Sequence, residues 1–64
     1  MGLEIIEQLL AALPSVLMPR GMALVEISPT QTEAVRYMTA QHLPERSVFF
    51  IKDLGRRDRV AKIV

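Results

Sequence analysis

The chain has 64 residues, a formal net charge of +1 and no cysteine. One small domain, residues 1–64, is therefore the ceiling, and neither a disulfide nor a thiolate metal site can brace it. His42 is its single histidine, which argues against a zinc site built only from protein side chains.

Half of the residues are hydrophobic. That is a high share for a chain that buries only about 60% of its unfolded surface. Either the core is dense for its size, or part of the apolar surface belongs against something outside the chain. The charges are unevenly placed. Two basic and five acidic residues precede Arg46, whereas six basic and two acidic residues follow from Arg46 onward. A basic end suits nucleic acid or an acidic partner, and equally a solvated hairpin. No stretch reaches the roughly 18 apolar residues of a membrane span. The start carries Glu4 and Glu7 in place of the basic region of a signal peptide. A soluble, cytoplasmic protein with no membrane partner is expected.

Residues 3–13 read as a helix. Leu3, Ile6, Leu10, Leu13 and Leu17 recur at three- and four-residue steps, Ile5 and Leu9 widen the stripe, and Glu4 and Glu7 suit the positive end of the helix dipole. Pro14 cannot continue a regular hydrogen-bond ladder, so a kink or a fresh turn is expected there, with Ser15 exposed. Pro19, Arg20 and Gly21 then punctuate the chain before the apolar run 22–27. That run does not alternate at its start and ends on β-branched Val25 and Ile27. It reads as the central strand of an α/β sheet, covered on both faces.

Ser28-Pro29-Thr30-Gln31 is a helix start: a capping serine, a proline at the first position and a glutamine able to reach back. The helix should run to about Gln41. Ala34, Val35, Met38 and Tyr37 are expected on its buried side, and Gln31, Glu33, Arg36, Thr39 and Gln41 in water. Pro44 disfavours helix at Leu43. Residues 47–52, with Val48, Phe49, Phe50 and Ile51, form a second strand, 53–58 a turn, and 59–64 a third strand. The short connection implies an antiparallel hairpin.

Little reads as catalysis. Ser15, Ser28 and Ser47 have no histidine at informative spacing, and His42 at a helix end has no evident partner for acid–base work. The three glycines form no phosphate-binding loop. Glu26, near the carboxyl end of the first strand, either faces a ligand, as open α/β sheets arrange, or points into water. The most distinctive string is Asp53-Leu54-Gly55-Arg56-Arg57-Asp58-Arg59. Its alternating signs can order a turn through ion pairs and backbone bonds, or its arginines can bind phosphate or an acidic partner.

Several of these residues together resemble the C-terminal part of HemK-type (PrmC-type) methyltransferases. They are Leu9, Leu10 and Pro14; Pro19-Arg20-Gly21; Leu24-Val25-Glu26-Ile27; Gln31 and Glu33-Ala34-Val35-Arg36; Lys52-Asp53-Leu54; and Arg57-Asp58-Arg59-Val60. The family usually has glycine where Arg20 stands, and glycine immediately before the Arg-Asp-Arg, where Arg56 stands. The resemblance implies a fragment of a larger domain that uses S-adenosylmethionine to methylate the glutamine of peptide-chain release factors. The Gly-rich loop, the acidic residue ending the second strand and the Asn-Pro-Pro-Tyr motif of that domain are missing here. No catalytic, cofactor-binding or metal-ligating residue is therefore assigned, and the chain alone is expected neither to bind the cofactor tightly nor to methylate.

The expected fold is α/β, in the order helix-strand-helix-strand-strand. It is the C-terminal half of a Rossmann-like methyltransferase fold, with a three-stranded mixed sheet whose last strand inserts between the other two. With both helices on one face, the other face would be bare. Self-association, as a dimer, or contact with the missing N-terminal part of the domain is expected. The reading from a different class is a free-standing module that meets RNA or an acidic protein through its basic hairpin.

Overall fold

The structure, a computed structural model, describes residues 3–64. Helix α1 spans Leu3–Val16, strand β1 Ala23–Glu26, helix α2 Thr32–His42, strand β2 Val48–Lys52 and strand β3 Asp58–Ile63. A 3-10 turn at Pro29–Gln31 leads into α2. The element order is the expected one. No helix among the described residues is long and apolar enough to cross a membrane.

The strands lie in the order β1-β3-β2, so the last strand does insert between the other two. Both ladders are antiparallel, which corrects the expectation of a mixed sheet. β1 and β2 run the same way, but β3 separates them, so no parallel pair forms. β1 is correspondingly an edge strand, and β3 holds the centre. The right-handed crossover logic that joins two like-directed strands through a helix leaves a gap one strand wide. The hairpin after β2 fills it.

Ile6, Leu10 and Leu13 of α1 pack with Val35 and Met38 of α2 over Val25, Ile27, Ala61 and Ile63. Leu3, Ala23, Ala34, Val48 and Phe50 border this core. Both helices thus cover one face. Leu10, Val35, Ala61 and Ile63 are completely buried. Ile5 and Leu9 do not widen the packed stripe, because they point to solvent.

Pro14 does not start a new element. The helix runs through it to Val16, and the Leu17 N–H donates to the Leu13 carbonyl at 2.8 Å. Pro14 has no N–H to donate to the Leu10 carbonyl, and the helix carries that one missing bond for its last turn. In α2 two assignments exchange places. Tyr37 is exposed, whereas Thr39 is 1% exposed and its hydroxyl is unpartnered. The inward face runs through Val35, Met38, Thr39 and the loop residue Leu43, at helical three- and four-residue steps. The Ser28 N–H donates to Gln31 Oε1 at 2.9 Å, the reach-back expected of that start.

Candidate functional site

Two features lie outside the core: the basic hairpin and the open face of the sheet. The hairpin is built around Asp53. Its backbone N–H donates to the Arg57 carbonyl at 2.9 Å, and its carbonyl accepts the Arg56 N–H at 3.0 Å. Its carboxylate accepts the Arg57 N–H at 3.0 Å and Arg59 Nε at 2.9 Å. The Arg59 side chain, then the Arg57 amide and the Gly55 amide, hold the Asp53 carboxyl down at about 2. Arg56 closes the turn at φ 62°, the left-handed region that favours glycine. This is the position at which the HemK-type pattern has glycine.

The ladder between β2 and β3 shifts register between Ile51 and Lys52, so Lys52 pairs with Asp58 and Arg59 is the extra residue. Such a bulge re-aims the side chains beyond it. Asp58 meets the helix layer: Thr32 Oγ1 of α2 donates to it at 2.8 Å, and Lys52 Nζ donates at 2.8 Å. The Lys52 and Thr32 bonds both lower its pKa. The hairpin string therefore works first as structure. Asp53 binds Arg59, and Asp58 ties β3 to β2 and to the start of α2. Arg56 and Arg57 remain exposed at the tip beside a fully exposed Leu54.

The other singled-out residues are dispersed. His42 Nε2 is 3.3 Å from Glu7 Oε2, an exposed link between the two helices. Glu26 is exposed at the end of β1, where it shares a depression with Ser28, Gln31 and Arg59. Arg46 carries a role that its count among basic residues did not reveal. It donates to the Gly21 carbonyl at 2.9 Å and the Met18 carbonyl at 2.8 Å, pinning the turn before β1 to the loop before β2. Only the fold brings it to that turn; no local pattern in the sequence marks the role.

That turn is closed by the Gly21 N–H on the Met18 carbonyl at 2.8 Å. A Cβ on Gly21 would lie 3.1 Å from Leu17 Cδ1. Arg20 needs no glycine, since Arg56 is the one non-glycine residue at positive φ among those described.

The outer face is set by register. Leu24, Lys62 and Phe49 form one row across the sheet, and Glu26, Val60 and Ile51 the next. Leu24 is 60% exposed, Phe49 58% and Ile51 47%. Met22 and Val64, in line with them, are exposed as well. Compared with protein-family models, with curated proteins and with solved structures, the chain matches none.

Proposed function

We propose that this chain is the C-terminal part of a HemK/PrmC-type methyltransferase domain. It completes the sheet and helix layer of a cytoplasmic enzyme that transfers a methyl group from S-adenosylmethionine to a glutamine of peptide-chain release factors. It brings no cofactor or substrate group of its own. The observation that carries the reading is the strand order: two like-directed strands with the last strand antiparallel between them, as the resemblance implies. Two features add to it. Arg56 adopts a glycine-like conformation at the family's glycine position, and the Asp53 and Asp58 networks give the resembling hairpin residues a structural task. In the complete Rossmann-like fold the free edge of β1 would receive the preceding strand.

The RNA- or acidic-protein-binding alternative has less support. Arg59 and Lys52 are taken up by Asp53 and Asp58, which leaves three of the hairpin's five cations, Arg56, Arg57 and Lys62, to meet phosphate. The reading frame upstream of the Met1 codon tests the proposal. A Gly-rich loop and an Asn-Pro-Pro-Tyr motif, in the same frame or in a neighbouring one, are the expected finding. A context that encodes neither overturns it.

A further inference from the structure

The outer face of the sheet leaves roughly 500 Å² of apolar side chain in water across Met22, Leu24, Phe49, Ile51 and Val64, a patch of the size that marks an interaction site on a soluble chain. Two such patches face to face reach roughly the 1,000 Å² of total buried area that a biological interface should clear. Two charges stand among these residues. Lys62 lies at the middle of the face, with Leu24 and Phe49 as its neighbours on either side, and Glu26 lies one row along on β1. Neither is ion-paired within the described residues. They are of opposite sign and occupy adjacent rows.

We propose that this face binds a second copy of the chain about a two-fold axis running across the strands, between the Leu24–Lys62–Phe49 row and the Glu26–Val60–Ile51 row. Such an axis exchanges the two rows. Phe49 of each copy lies over Ile51 of the other, and Lys62 of each copy comes beside Glu26 of the other. Interfaces of this symmetry are self-complementary, so each contact is made twice. The pairing of two inward faces is the aligned packing of sheet sandwiches. Glu26 lies over an apolar side chain under either axis, Leu24 here and Ile51 for a two-fold axis along the strands, but the latter is disfavoured because it would set Lys62 against Lys62. The inference concerns the 64-residue chain by itself and does not rest on the methyltransferase reading; in a completed domain the missing N-terminal part would compete for the same face.

Sedimentation equilibrium of the 64-residue chain over a concentration series tests it, with Lys62→Glu and Glu26→Lys made separately. The wild-type chain should sediment as a dimer. Each variant alone should dissociate, with its dimer constant weakened roughly tenfold or more. An equimolar mixture of the two variants should form a heterodimer of near wild-type affinity, since mixing reunites opposite charges across the axis; a mere folding defect would not be repaired by mixing. Phe49→Gln, at an exposed position, should give a folded monomer. A wild-type chain that stays monomeric at high micromolar concentration overturns the proposal. So does a dimer indifferent to both charge changes, as pairing through the β1 edge would be.

Discussion

The two faces of the sheet are made by the same three strands, and both carry large apolar side chains. One carries Val25, Ala61 and Ile63 under the helices; the other carries Leu24, Phe49 and Ile51 in water. The inner rows, Ala23–Ile63–Val48 and Val25–Ala61–Phe50, are apolar throughout, whereas Lys62 and Glu26 stand among the outer ones. A strand with apolar residues on both sides says that both faces want cover. It does not say which cover is in the chain.

The largest effect should separate the faces outright. Leu10→Ala, beneath α2, should destabilise the chain by about 3 kcal/mol, through lost burial and a residual cavity. Leu24→Thr should change the stability of the dilute monomer by less than about 0.5 kcal/mol. Urea unfolding at low protein concentration measures both, and equal losses would erase the distinction. Next is the flaw on the covered side. The Thr39 hydroxyl is buried without a partner, so Thr39→Val should gain about 1–2 kcal/mol in the same assay.

Two smaller effects belong to the hairpin, where the bulge turns Asp58 from the plane of the ladder toward α2. Arg56→Gly should relieve a left-handed side-chain conformation and raise stability by about 0.5–1 kcal/mol, after the extra freedom of glycine in the unfolded chain is counted. Asp53 and Asp58 both have lowered pKa values in the folded chain. Their stabilisation is therefore fully present above the unfolded value of 3.8 and is lost as the pH falls, for Asp53 through about 2. Thermal unfolding from about pH 5 to about pH 2 should show a shallower decline for Asp53→Asn than for the wild-type chain.

Much of the fold was legible because its signals are local. Leu3 to Leu13 recur at a helical period, Ser28-Pro29-Thr30-Gln31 announces a helix start, and Asp53 to Asp58 reads as a turn. The hairpin string was visible too, although its ion pairs hold the chain together more than they offer it to a partner. The α2 error is one of helical phase: with Val35 inward, the three- and four-residue steps carry Met38 and Thr39 inward with it and leave Tyr37 outside. Arg46 escaped because its two carbonyl partners, on Gly21 and Met18, lie far away in sequence.

The sequence by itself determined the order of elements, the helix and hairpin chemistry and the excess of apolar residues, since each depends on neighbours within a few positions. The central place of β3 and the shared face of the helices were expected; only the tertiary structure decided that every ladder is antiparallel and that β1 lies at the edge with one face in water. Those outcomes depend on which strand fills the gap beside β1. Contacts between distant residues decide that, and no local pattern encodes them.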